Sequence, residues 1–348
     1  MTSVSPGICT VQVAGGEIPV LYFKGATPSV GDFVSVQRQS VVSYLMTAPS
    51  GALWVSDQQA SPGNVWRVST GGAVSLVTTA VPVPTGIVRG ADSDMWVVNA
   101  TTSTGSVFRI TPQGVVTEFS LPQPQAPATY ADPNEICYGS DGNLWVCGNY
   151  SNGTAIIWRV GADGTATAFP MGTAYFEDIT SGPDGDLWLA DLNGYLWQVA
   201  TTGAKLNQFP VAHASGGSVF LYALAAGPDG NLWLADNAGG DWKVTPTGDA
   251  TFYALPASYF PNPWDIASGP DSSLWVTDTS GYLWQVKTDG SATPFAVNGV
   301  GSGAYVAPGS DGNLWVAGTG LVAKVTPGGV VSYIDIAGLS SAGIAVGP

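Results

Sequence analysis

The chain is short of the residues from which most catalytic and nucleic-acid sites are built. It has one histidine, three cysteines and ten Lys/Arg in 348 residues, and no apolar run long enough to span a membrane. Cys9, Cys137 and Cys147 are too few and too irregularly placed for a disulfide scaffold or a zinc site. Cys137 and Cys147 fall on consecutive strands of one expected hairpin, which admits a cross-strand disulfide or two buried free thiols; free thiols are the expectation. Twenty-five acidic residues against the ten basic ones leave a formal charge of −15. Nucleic-acid affinity needs Lys/Arg to neutralise phosphates, so this balance argues against DNA or RNA as a partner. No Gly-x-Ser-x-Gly, His-Glu-x-x-His or phosphate loop occurs. The opening MTSVSPGICTVQVAGG lacks a basic n-region and an unbroken apolar h-region, so it does not read as a secretory signal.

Glycine, proline and tryptophan are abundant, at 46, 25 and 13 residues, and apolar residues make up 45% of the chain against 10% charged. That is a turn-rich, aromatic, all-β composition with enough buriable surface to exclude disorder. The tryptophans carry the organisation. Trp54, Trp96, Trp145, Trp188, Trp233, Trp275 and Trp315 recur at intervals of 42, 49, 43, 45, 42 and 40 residues. Units of this length, each reading as four short strands, predict a seven-bladed β-propeller. The copy at 225–256 shows the parts in order: an apolar strand, a Gly-Pro-Asp-Gly-Asn turn, Leu-Trp-Leu-Ala-Asp, a loop, Trp-Lys-Val, a Gly turn and a last strand. Gly142, Gly185, Gly230 and Gly312 each stand where such a turn needs positive φ. A second aromatic recurs on the third strand as Trp66, Phe108, Trp158, Trp197, Trp242 and Trp284. Repeated rings are read as core between blades, each contributing about 4–6 kcal/mol before entropy is deducted. Trp264, in an unrepeated connection, is the exception.

The innermost-strand pattern precedes each of the seven tryptophans and returns at 343–348, which suggests that the last strand closes the ring against the first blade. Residues 1–39 lie outside the repeat, with strands expected at 9–13, 18–23 and 33–37, and are too few for an independent core. They are assigned as a docking arm for other structural proteins, with the propeller at 40–348. Within the arm, Pro28-Ser29-Val30-Gly31-Asp32-Phe33-Val34-Ser35-Val36 resembles a strand-opening sequence of small β modules in tail proteins of actinobacterial phages.

Strand order sends the variable segments to one face. They are the second-to-third loops from Asp57, Asn99, Asn149, Asp191, Asp236 and Asp278, and the connections at 121–134, 170–177, 210–222 and 256–264. These connections hold Tyr130, Tyr175, Phe176, His213, Phe220, Tyr222, Tyr259, Phe260 and Trp264, with Glu135, Asp178 and Asp265 just inside. Rings beside carboxylates suit sugar faces and hydroxyls, or a cation. The alternative is that the rings cap the blades and the acids are solvated. The ligand-binding candidates are Tyr175, Phe176, Tyr259, Phe260, Trp264, Glu135, Asp178, Asp265 and His213.

From residue 41 onward, the GPDGNLW motif, the Arg-Val-type third strand and the Gly turn resemble the streptogramin lyase (virginiamycin B lyase) family. The resemblance implies an elimination with a histidine base and glutamates holding Mg²⁺ around a central channel. At the matching inner-strand positions stand Gly86, Glu135, Asp178, Ala223, Asp265 and Tyr305, none of them histidine. A missing base forfeits roughly 10²–10⁴ in rate. The expectation is therefore a non-catalytic binding or structural propeller without cofactor, acting outside the cell or in a virion. A phage tail-tip component engaging a host surface glycan or another virion protein fits. The alternative is a lyase-like enzyme with a rearranged site; Glu135, Asp178 and Asp265 as oxygen ligands of a divalent cation also stay open.

Overall fold

A computed structural model describes residues 51–348 except 59–61, 102–104, 124–129, 214–215, 217 and 260, and, before residue 51, the backbone of five short strands. The chain divides into two compact units, Met1–Ser50 and Gly51–Pro348.

In the first unit, Val4–Ser5, Ile8–Val13 and Gly16–Leu21 form an antiparallel sheet, and Val36–Gln39 pairs with Ser43–Met46 as a separate hairpin. Two strands thus lie close to their expected places, while the third begins later and has a partner that sequence reading had given to the first blade. The place of that inner strand is taken instead by the end of the chain. Residues 341–346 of the long strand Val331–Val346 run antiparallel to Leu53–Asp57, with Ile344 opposite Val55.

The second unit is an all-β propeller. Its fourth blade shows the plan: Phe176–Ser181, Leu187–Asp191, Tyr195–Val199 and Lys205–Pro210 pair antiparallel in sequence order from the centre outward. Five sheets are four-stranded in this way. A sixth has seven strands because Val331–Val346 serves two ladders, closing the last blade against Thr319–Val325 and opening the first against Leu53–Asp57. The inner strands neighbour one another in a closed order: Pro84–Arg89, Ala131–Tyr138, Phe176–Ser181, Leu221–Ala226, Pro263–Ser268, Tyr305–Pro308 and the end of Val331–Val346, which returns to Pro84–Arg89. Val331–Val346 thereby ties the last blade to the first, so the series of blades has no open end.

Burial follows position in the blade. Leu187–Asp191 is buried at every residue because neighbouring blades cover both of its faces, so it reads as a continuous apolar run; the peripheral Lys205–Pro210 is mostly exposed. The tryptophans of the Leu-Trp repeat, from Trp54 to Trp315, are all buried. The turn motif has its own chemistry. Gly185 adopts φ 84°, and the preceding Asp184 accepts the indole N–H of Trp188 at 3.0 Å. Asp141, Asp229, Asp271 and Asp311 do the same for Trp145, Trp233, Trp275 and Trp315. The third-strand residue after Trp242, and after Ala323 in the last blade, completes the set: Lys243 pairs with Asp229 and Lys324 with Asp311, both at 2.8 Å. The GPDGNLW motif is therefore a structural clasp for a buried indole.

Lys324 also donates to the carbonyl of Thr70 at 3.1 Å, tying the last blade to the first. Burial opposes ionisation of Asp311, but Lys324, Asn313 and Trp315 outweigh it and hold its carboxyl at about 2. An acid lowered in the folded state stabilises fully above its unfolded pKa and loses that stabilisation as pH falls toward the folded value. Lys324→Met should cost about 1 kcal/mol in urea unfolding near neutral pH. The gap from wild type should close as pH drops from about 4 toward 2.

Cys137 and Cys147 are free, buried thiols. Their register explains why: Cys137 stands opposite Trp145, not Cys147.

Candidate functional site

The inner strands converge on a cavity of about 210 Å³ to which all seven contribute. Glu135, Asp178 and Asp265 line it, as do Tyr222, Trp264 and Tyr305. Bulges create this arrangement. In the fourth blade Phe176 pairs with Asp191 and Asp178 with Ala190, so Glu177 is skipped; Tyr222 and Trp264 are skipped likewise between Leu221 and Ala223 and between Pro263 and Asp265. In the third blade the skipped stretch is Asn134 and Glu135. A bulge lets two successive residues address the same side, which strict alternation forbids. Both Glu177 and Asp178 therefore reach the cavity, as do both Trp264 and Asp265.

Each carboxylate is fixed by backbone donors. Asp178 accepts the N–H of Ile179 at 2.7 Å through Oδ1 and that of Leu224, one blade on, at 2.8 Å through Oδ2. Asp265 reaches across in the same way to the N–H of Val306 at 2.7 Å. Glu135 accepts from its neighbour Ile136 at 3.0 Å through Oε1 and lies over Gly86, where an added Cβ would stand 2.0 Å from that oxygen. Glycine at 86 leaves the room this carboxylate occupies. Asn134 donates to the carbonyl of Glu177 at 2.9 Å and to its Oε2 at 3.2 Å. Tyr222 and Trp264 stack with centroids 5.1 Å apart.

The lining contains no lysine, arginine or histidine. Burial raises Asp178 to about 8 against its backbone bonds, with Asp265 adding repulsion, and raises Asp265 to about 7. Glu135 goes well above the carboxylate range by burial first and by Asp178 second, and Tyr305 is raised by burial and by Glu135. Each acid keeps part of its surface open to the cavity, yet the crowding protein shifts it toward its neutral form. Among the described residues, no group of three or more His, Cys, Asp or Glu is gathered closely enough to hold a metal ion.

Of the residues singled out from the sequence, Glu135, Asp178, Asp265 and Trp264 meet in the cavity. Tyr222 and Tyr305, noted among the connection rings and the inner-strand positions, line it too, whereas Phe176, Tyr175, Tyr259 and His213 do not. Phe176 is fully buried, packed edge-on against Trp197 at 5.3 Å; as the first residue of an inner strand it faces core, not solvent. Tyr175 is 48% exposed, close enough to Glu177 for that carboxylate to raise it, after burial. Tyr259 sits on a single helical turn and packs against Tyr282 and Trp284. Phe260 lies outside the described residues. His213 is held between Trp242 and Phe252 and bonds Asp236 at 3.0 Å, so its ring is a packing element of the fifth blade. The loop-opening acids Asp57, Asp191, Asp236 and Asp278 are likewise buried, each accepting the indole N–H of the third-strand tryptophan at 2.8–3.2 Å. Sequence reading missed Asn134 and Glu177; their signal was adjacency to Glu135 and Asp178, hidden by the bulges.

A closed ring of β-sheets around a polar, acid-lined cavity defines a β-propeller with a central cavity. Residues 9–216 and 176–348 match the model of the Virginiamycin B lyase family, and the chain belongs to that family. Among solved structures, it is similar to selenomethionine-substituted virginiamycin B lyase from Staphylococcus aureus, with a TM-score of 0.61 and 22% identity over 73% of this chain and 84% of that one. A catalytically inactive form of the same enzyme, with a histidine replaced by alanine and quinupristin present, gives 0.64 and 21% over 76% and 92%. A Lactobacillus plantarum protein gives 0.64 and 15% over 85% and 99%. These likenesses show the fold. Comparison with curated proteins found no match.

Proposed function

We propose that this propeller is a non-catalytic binding module whose ligand occupies the central cavity. The observation that carries the reading is the place of the only histidine. His213 is committed to Asp236 and two rings, while the cavity lining holds carboxyls, phenols, an amide and an indole but no histidine. In the staphylococcal relative, one histidine-to-alanine replacement gives a catalytically inactive protein. The separate N-terminal unit supports a role for residues 1–39 in docking to other structural proteins. In its finer form, the proposal is a surface-engaging component of a phage tail, acting outside the cell on a host glycan or another virion protein; the exposed Tyr175 beside Glu177 suits such a ligand. A gene neighbourhood without tail or assembly genes would count against that form.

Incubated with a streptogramin B antibiotic, with or without Mg²⁺, the protein should open the ring no faster than buffer, and His213→Ala should behave identically. Turnover by the wild type overturns the non-catalytic reading, most directly if the variant loses it.

A further inference from the structure

The hydrogen-bonding capacity of the cavity is one-sided. Asn134 spends its amide on Glu177, and the backbone N–H groups of Ile136, Ile179, Leu224 and Val306 are taken by Glu135, Asp178 and Asp265. What remains on the carboxyl groups is acceptor capacity, beside the hydroxyls of Tyr222 and Tyr305 and the indole of Trp264. Glu135 is half-buried at the cavity wall, and among the described residues no donor meets its Oε2. Four carboxyl groups thus share a space of about 210 Å³ with no cationic side chain on its wall. They are too dispersed to gather round a metal ion, but they surround a volume of small-molecule size.

From this arrangement we infer that the cavity takes a ligand through a protonated amine, whose N–H donors meet Glu135 and Asp265 while the rings of Tyr222 and Trp264 flank its carbon frame. This inference rests on the cavity being the binding site and adds the chemical class of the ligand. An ammonium group supplies the positive charge that the wall lacks, together with N–H donors, and charge-assisted bonds to carboxylates are the stronger kind. Without ligand, burial shifts these acids toward their neutral forms; an entering cation favours the carboxylate, so binding to a protonated carboxyl releases its proton into solvent. The titrating groups that face it are Glu135, Glu177, Asp178, Asp265, Tyr222 and Tyr305.

Calorimetry of the full chain with n-butylammonium chloride tests this, with n-butanol as the neutral counterpart and glucosamine paired with N-acetylglucosamine. Butylammonium and glucosamine should bind saturably, and their neutral counterparts at least about tenfold more weakly. Binding of butylammonium should tighten with rising pH by up to about tenfold per unit for each proton released, with heats that depend on the buffer's ionisation enthalpy. Glu135→Gln, which keeps the shape and removes the charge, should weaken butylammonium about tenfold or more at an unchanged melting temperature. Asp265→Asn provides the same test should the first variant not fold. No butylammonium binding, equal binding of butanol, or unchanged affinity in the folded variant overturns the inference. Binding of N-acetylglucosamine in place of butylammonium overturns it yet leaves the binding function standing. Streptogramin turnover overturns the non-catalytic reading while leaving the amine preference intact.

Discussion

Replacing Asp241 with leucine is expected to stabilise the propeller by about 1–3 kcal/mol near neutral pH, seen as a higher urea midpoint at unchanged slope. The reason lies in a comparison between blades. The residue before the third-strand aromatic is Val65, Val107, Ile157, Leu196 and Leu283 in five blades, and Val322 stands there before Ala323 in the last; all are fully buried. The fifth blade has Asp241 at this position, also with no exposed surface, and neither carboxyl oxygen has a hydrogen-bond partner. A buried polar group without a partner keeps its full desolvation cost, and replacing it by an apolar group of similar shape removes that cost. Burial raises Asp241 well above its ordinary value, and Asp236 adds repulsion. The folded chain therefore holds a proton that the unfolded chain releases above about pH 4. Wild-type stability falls as pH rises from there toward the raised folded value, whereas the variant lacks this slope. The gain should be small in acid and grow toward neutrality; a gain independent of pH, or a loss, would contradict this account.

Asp241 also shows the limits of what could be read from the chain. The Leu-Trp repeat was legible because period, turn glycines and buried rings all state one plan, and because the Gly343–Pro348 repeat announces ring closure. Glu135, Asp178 and Asp265 were legible because they occupy one position of the repeat, and that position faces the centre. Glu177, Asn134 and the orientation of Trp264 were not, because a bulge breaks the alternation on which facing is judged, and nothing in the residues themselves marks it. Phe176 and His213 were misplaced for a related reason. Both stand in segments that look irregular in sequence, yet irregular spacing does not imply exposure; the structure packs one against Trp197 and the other against Trp242.

The same blade-by-blade comparison separates structural acids from those at the centre. Asp57, Asp191, Asp236 and Asp278 end the second strands as Glu135, Asp178 and Asp265 line the cavity, and composition alone cannot tell the two sets apart. Partner chemistry can. Each of the first set accepts the indole N–H of a third-strand tryptophan; the second accepts backbone N–H groups alone and lines a cavity with no cationic side chain on its wall.

For the structural set this makes a strong prediction. Asp278 is buried and accepts the backbone N–H groups of Ser280 and Tyr282 at 2.9 Å and the indole N–H of Trp284 at 2.8 Å. Asp278→Ala removes the acceptor for all three donors and is expected to cost about 3–5 kcal/mol, at about 1–3 for each donor left unsatisfied and partly offset by relaxation. The second blade shows what the position tolerates when the indole is gone. There the third-strand aromatic is Phe108, which has no N–H, and the residue equivalent to Asp278 is Asn99, whose Oδ1 accepts from Val83 and whose Nδ2 donates to Ser106, both at 2.9 Å. Asp278→Asn can still serve the two backbone donors, but it sets an amide N–H₂ or a poorly placed oxygen against the indole of Trp284. Its cost should therefore depend on that ring. In a double-mutant cycle measured by urea unfolding, Asp278→Asn should cost about 1–3 kcal/mol beside Trp284 and less by at least about 0.5 kcal/mol beside Phe in Trp284→Phe. Equal costs in the two backgrounds would show that the acid serves the backbone turn alone and that the indole bond contributes nothing.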